Sequence, residues 1–285
     1  MNAYAEIAVT TNYSFLRGAS HPWEFVETAA KRGLAAIGIA DRNTLAGVVR
    51  AYTALQAIEK NRPRLLVGAR LAFVDGTPDI LAYPTDRAAY GRLCRLLSAG
   101  KLRAPKGECH LALHDLLKWQ EGLLLVLMAP RPVEKERVND SPKNFWNRTL
   151  AGEDEEVGEL PKDIHGNTPQ VSSEEILSLM EKLLAAAPGR LWLGVSMPHK
   201  GDDRRRLREW QRVARAAAVP LLATNDVLYH SPERRELQDV VTCIREHLTL
   251  ETAGRRLEQN AERHLKPPRE MARLFVDHPA ALLET

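Results

Sequence analysis

The chain is short of cysteine, of long apolar runs and of charge of one sign, and each shortage narrows what it can be. Its three cysteines, Cys94, Cys109 and Cys243, lie far apart and form no Cys-x-x-Cys pair. That argues against a disulfide framework and fits a reducing compartment. The longest apolar run, Leu123 to Ala129, falls far short of the ~20 residues that span a bilayer and reads as a buried strand. Met1 to Glu6 show neither the basic start nor the apolar stretch of a signal peptide, so a cytoplasmic protein with no membrane contact is expected. Neither Gly-x-x-x-x-Gly-Lys nor Gly-x-Ser-x-Gly occurs, which leaves NTPase and serine-hydrolase readings without a starting point. There is no Asp-x-Asp pair, so these residues do not hold the clustered carboxylates with which a polymerase binds two magnesium ions. Lysine and arginine total 40 against 37 acidic residues, a formal charge of +3 with a pI near 8.8, weak support for nucleic-acid contact.

What the chain does have is an ordinary globular balance, 44% apolar and 27% charged over 285 residues. That excludes disorder of the whole chain and suits one α/β barrel with an insertion. Strand-like and helix-like segments alternate throughout, which predicts a mainly parallel sheet wrapped by helices. Strands are expected over residues 4–10, 36–40, 65–73, 80–83, 123–128, 191–196 and 221–224. Seven of them make an irregular barrel. A helix is expected after Ser20, with Pro22 in its first turn and Gly33 just past its end. Two more are expected over 174–187, with Ile176, Leu177, Met180, Leu183 and Leu184 on one face, and over 203–218. In the latter, Leu207, Trp210, Ala214 and Ala217 make an apolar stripe roughly opposite Arg204, Arg208, Arg212 and Arg215. Residues 131–172 break the rhythm, being rich in proline, glycine, asparagine and charge with the acidic run Glu153 to Glu156, and are read as an inserted loop.

Two apolar runs end in aspartate, Ala36 to Asp41 and Pro220 to Asp226, and each precedes a helix-like stretch. This places both carboxylates at the C-terminal mouth of a β/α barrel, where such folds build their sites. No His-x-His accompanies them.

Several passages carry a family resemblance: Val9 to Pro22 (VTTNYSFLRGASHP), Ala40 to Gly47 (ADRNTLAG), Ala82 to Leu93 (AYPTDRAAYGRL), Lys106 to His110 (KGECH), Gly189 to Leu193 (GRLWL) and Asn260 to Pro268 (NAERHLKPP). In order and content they resemble the PHP (polymerase and histidinol phosphatase) domain of bacterial C-family DNA polymerases, nearest the error-prone branch. The match covers nearly the whole chain, residues 1–285, outside the insertion. The resemblance implies a seven-stranded β/α barrel standing ahead of palm, fingers and tail. It implies a nucleotidyltransferase of DNA replication and repair, working with magnesium in translesion synthesis and damage-induced mutagenesis. Since the chain ends at Thr285, it is expected to be a fragment of such a protein.

By the same resemblance, metal-binding members carry His-x-His where this chain has Ala8 and Thr10. The strand-two aspartate is kept as Asp41, but the following histidine is Arg42. The bridging glutamate aligns with Arg70. In the last motif Asp226 is kept and a histidine is replaced by Leu228. A methyl, a hydroxyl and a guanidinium are poor or impossible ligands, so no metal and no catalytic residue is expected here; zinc or manganese would belong only to an active version. Arg42 and Arg70 are expected to pair with Asp41 and Asp226 in a structural ion network.

Against this stands an active phosphoesterase or 3′–5′ exonuclease using Asp41, Asp226 and surrogate histidines His199, His230 or His21; isolated histidines near strand ends are more often loop or capping residues. Glu108, Cys109 and His110 alternate faces in an extended segment and are read as structural, and Cys243 as a small buried side chain. A DNA-binding module resting on the arginine stripe is a further reading, although such stripes are usually solvated faces. The expected partners are the palm and thumb of the same protein, DNA, accessory mutagenesis proteins and, indirectly, a sliding clamp.

Overall fold

Period-two patterning shapes the sheet. In a computed structural model describing residues 3–130 and 172–285, Ile37 and Ile39 on the second strand pack outward under helices, while Ala36 and Ala40 point into the bore. The strands are β1 (Ala5–Val9), β2 (Ala36–Arg42), β3 (Arg64–Leu71), β4 (Ile80–Pro84), β5 (Leu123–Met128), β6 (Leu191–Val195) and β7 (Leu221–Ala223), and they pair in sequence order into one curled sheet. All seven expected strands are present, with bounds shifted by up to two residues. The outer layer is apolar on both sides of the helix–sheet contact, with Phe25, Leu93, Leu96, Met180 and Trp210 packed on Ile80, Leu125 and Leu193.

The sheet is mainly parallel, as expected, with one strand reversed. β1, β2 and β3 are mutually parallel, as are β5, β6 and β7, but β4 runs antiparallel to both neighbours. The link from Leu71 to Ile80 holds no helix, and a parallel crossover needs a dozen or more residues, so the chain can only double back. Two helices, α3 (Arg87–Leu102) and α4 (Leu113–Trp119), then return it to the edge it left, where Thr85 N–H donates to the Gly122 carbonyl at 3.0 Å.

The remaining helices follow sequence signals. α1 (Pro22–Arg32) opens with proline in its first turn, Glu24 accepts the His21 N–H at 2.8 Å, and Gly33 ends it in the left-handed region at φ 71°. α2 (Val48–Gln56) follows β2. α5 (Ser173–Ala186) buries Ile176, Leu179, Met180 and Leu183; Ser172 caps it, accepting from Glu175 N–H at 3.2 Å, so Ser172 belongs to the helix start and not to the insertion. The rest of the expected insertion lies outside the described residues. α6 (Asp203–Ala216) buries Leu207, Trp210 and Ala214, and Arg204, Arg208, Arg212 and Arg215 form its solvated face. α7 (Arg235–Glu246), α8 (Leu250–Ala253), α9 (Pro268–Leu274) and α10 (Pro279–Leu283) complete the described chain. Among the described residues no helix is long and apolar enough to cross a membrane.

The sheet's two ends meet only at the top. Val9 bridges Val227, with Thr10 N–H to the Val227 carbonyl and Val227 N–H to the Ala8 carbonyl both at 2.9 Å. Below that bridge a side chain takes over from the ladder. The fully buried Glu6 accepts Ala8 N–H and Asn225 N–H at 2.8 Å, the Tyr4 hydroxyl at 2.7 Å, and the Thr224 hydroxyl. Burial raises the Glu6 pKa, and these donors work against that rise. The bore beside this seam is narrow. A Cβ on Gly38 would lie 2.6 Å from the Tyr83 hydroxyl oxygen and one on Gly68 2.4 Å from its ring, so only glycine at both places lets that ring cross. Its hydroxyl donates to the Ile7 carbonyl.

Candidate functional site at the open end of the sheet

Asp41 lies at the C-terminal end of β2, buried to 1% exposure. Its Oδ1 accepts Thr11 N–H at 2.8 Å and the Ser14 hydroxyl at 2.7 Å, and its Oδ2 accepts the Thr11 hydroxyl at 2.8 Å. Burial raises its pKa, and the hydroxyl and amide donors oppose the rise. Among the described residues no cation comes within ion-pair distance of it, so the expected pairing with Arg42 or Arg70 is not what forms. Arg42 is the next residue on the strand and points to the opposite face. The carboxylate is also hemmed in from α2, since a Cβ on Gly47 would sit 2.5 Å from Oδ2.

Asp226, just beyond β7, is held by cations. Arg70 Nη2 donates to Oδ1, Arg263 Nη2 donates to Oδ2 at 2.6 Å, and Arg263 Nε donates to the Asp226 carbonyl at 2.8 Å. The pairing of Arg70 with Asp226 is thus formed, and it extends in both directions. Arg70 Nη1 reaches Asp79 at 3.3 Å, Arg42 reaches the same carboxylate at 3.6 Å, Arg263 Nη1 donates to Glu258 at 2.8 Å, and Lys200 lies 3.4 Å from Glu258. Opposite charges therefore alternate across the mouth. Burial disfavours the charged forms of Arg70 and Arg263, yet Asp226 with Asp79 and with Glu258 outweighs it and raises both pKa values.

Thr10, Arg42, Arg70, Asp226 and Leu228 line one cavity of about 1040 Å³, while Ala8 and Asp41 are buried behind it. The surrogate histidines stand elsewhere. His230 Nδ1 meets the Ser20 hydroxyl at 2.9 Å with its ring edge-on to Phe25, and burial lowers its pKa. His21 pairs with Asn12 at 3.0 Å and stacks on Trp23, and His199 lies 3.8 Å from Glu262. Glu108 and His110 meet at 2.8 Å, and Cys109 turns toward the Leu97 carbonyl. Among the described residues no group of three or more His, Cys, Asp or Glu side chains is arranged to hold a metal ion.

Four members of the ion chain escaped the sequence reading: Asp79, Lys200, Glu258 and Arg263. Arg263 was within reach, because it sits in the Asn260–Pro268 segment that carries part of the resemblance. Asp79 had only a turn composition, Thr77-Pro78-Asp79, to mark it. Nothing in the sequence marks Glu258.

Residues 6–134 match the PHP domain. The chain is 54% identical over 284 residues to an error-prone DNA polymerase of Rhodopseudomonas palustris (strain BisB5), a match covering 99% of this chain and 22% of that protein. It is 50% identical over 289 residues to the error-prone DNA polymerase of Bradyrhizobium diazoefficiens, again covering 99% of this chain and 22% of that protein. The chain therefore spans less than a quarter of the length of these curated relatives. Its fold is similar to the crystal structure of a Bifidobacterium adolescentis protein described as a metal-dependent phosphoesterase, with a TM-score of 0.50 at 15% identity over 79% of this chain and 88% of that one. The chain thus carries, over residues 6–134, a match to the PHP domain and, over nearly its whole length, a likeness to error-prone DNA polymerases.

Proposed function

We propose that this chain is the folded, non-hydrolysing PHP domain of an error-prone DNA polymerase, supporting translesion synthesis and damage-induced mutagenesis whose polymerase chemistry and magnesium lie in other parts of that protein. The observation that carries the reading is Arg70, held in the mouth between Asp226 and Asp79. A guanidinium has no lone pair to give a metal and repels one. The donor set does not suit a cluster of divalent cations, because Asp226 is already shared by two arginines and Asp41 by three neutral donors. Hydrolysis by metal-activated water has no place to start here. The domain's part is then mechanical: it presents a rigid body to the palm and thumb of the same protein, and to accessory mutagenesis proteins. An apolar face on α7, with Leu237, Val240 and Ile244 each more than 40% exposed, supports such packing.

The test is to incubate the purified chain with a phosphomonoester or primer DNA plus zinc, manganese or magnesium, and to measure turnover and bound metal. No turnover and no stoichiometric metal are expected. Turnover that an Asp226→Asn variant loses would establish the active phosphoesterase or exonuclease instead.

A further inference from the structure

Among the described residues, the cavity at the mouth has more positive charge than its own carboxylates match. Eight arginine and lysine side chains among them line it against four carboxylates. Two of those carboxylates, Asp226 and Glu258, pair with Arg263, and a third, Glu108, meets His110. The surplus collects at one corner, where Arg17, Arg42 and Arg245 crowd together. Arg245 is fixed there by a hydrogen bond from Nη1 to the Leu16 carbonyl at 2.8 Å and by Glu246 at 2.9 Å. Among the described residues the Arg42 guanidinium has only Asp79 within ion-pair distance, at 3.6 Å and shared with Arg70. Among the described residues the Arg17 guanidinium has no carboxylate within ion-pair distance. Burial, then the like charges of Arg42 and Arg245, lower its pKa to about 10.

A second observation comes from other parts of the cavity wall. Arg70 Nε and Trp210 Nε1 are buried donors with no hydrogen-bond partner among the described residues, and both residues line the cavity while being less than 10% exposed. Orphaned buried donors are costly and uncommon. Their chemical complement is an acceptor-rich anion. Gln238, on the same lining, has a carbonyl oxygen with no partner among the described residues, suited to a ligand hydroxyl. Tyr13 and Phe15 also line the cavity and are 37% and 82% exposed. Aromatic faces next to arginines are what base stacking with phosphate contact requires.

We propose that the cavity binds a nucleotide unit without any metal ion, seating its phosphate group on Arg17, Arg42 and Arg245 and its base against Tyr13 or Phe15. A free nucleotide and the end of a single strand share this chemistry. The inference goes beyond the non-hydrolysing reading and fails separately from it, because binding is measured with metals removed and hydrolysis is not the readout.

The experiment titrates the 285-residue chain by calorimetry in EDTA at low salt with sodium phosphate, dTMP and single-stranded oligo(dT). Binding of dTMP or oligo(dT) that weakens as salt rises is expected, with at least a tenfold loss in both Arg17→Ala and Arg17→Gln. Arg212→Ala, on the solvated face of α6, should stay within twofold of the parent. Circular dichroism checks that each variant is folded. Equal affinity for dTMP and oligo(dT) identifies a free nucleotide as the ligand, and binding of oligo(dT) alone identifies a strand. The proposal is overturned by no binding of any probe, by unchanged affinity in both Arg17 variants, by an equal loss in Arg212→Ala, or by phosphate binding as tightly as dTMP.

Discussion

Asp41 and Asp226 occupy equivalent places, each at the end of an apolar run on the open side of the sheet, yet they are kept in opposite ways. Asp41 is held by two hydroxyls and a backbone amide with no cation close by, and burial raises its pKa. Asp226 is clamped between two guanidinia that it in turn keeps charged. The contrast shows that two carboxylates in equivalent places on one sheet need not share a role. One has become part of a loop anchor, tying the segment after β1 to β2. The other has become the centre of an ion chain.

The largest way to break the comparison is to remove Asp226. Asp226→Ala leaves Arg70 and Arg263 facing one another almost wholly out of water, and breaking a buried pair in this way costs about 3–5 kcal/mol. Urea unfolding should show that loss, and Asp226→Leu combined with Arg70→Met should recover a good part of it. Next is Asp41→Asn, which keeps the shape but turns one acceptor into a donor facing the donors of Thr11 or Ser14. A loss of about 1–3 kcal/mol is expected near neutral pH.

The same variant sharpens the contrast through pH. Because the folded-state pKa of Asp41 is raised, both states are protonated well below the ordinary value of 3.8, and above it the unfolded chain releases its proton first. The parent therefore loses stability as pH climbs from there through the raised folded value. Asp41→Asn should lack that component, so the gap between parent and variant should be widest in acid and narrow as pH rises, read from unfolding free energies across the range. If the gap does not change, Asp41 is not perturbed.

Gly47→Ala probes the same carboxylate from α2. Its methyl would meet Asp41 Oδ2 at 2.5 Å and the Thr11 hydroxyl at 3.1 Å, and overpacking of this kind costs about 1–3 kcal/mol. Arg212→Ala, on the solvated stripe, should change stability by no more than about 0.5 kcal/mol.

The strands were legible because their apolar runs are local, and so were the ends of α1, whose Pro22 and Gly33 act within a turn. The direction of β4 was also available in principle, since the short link after Leu71 leaves no room for a crossover. The partners of the two aspartates were less so. Arg70 and Asp226 are 156 residues apart and Glu6 and Asn225 are 219 apart, so only closure of the sheet brings them together. The mistaken pairing of Arg42 with Asp41 came from reading neighbours in sequence as neighbours in space. Along a strand adjacent side chains part company. Glu6 went unnoticed because a lone acid in a short strand has no local signature of serving as a seam.

The phenol ring of Tyr83, lying across the bore over two bare glycine positions, turns the open end of the sheet into a blind well and not a tunnel. A side chain at either glycine would push that ring aside and unseat its bond to the Ile7 carbonyl.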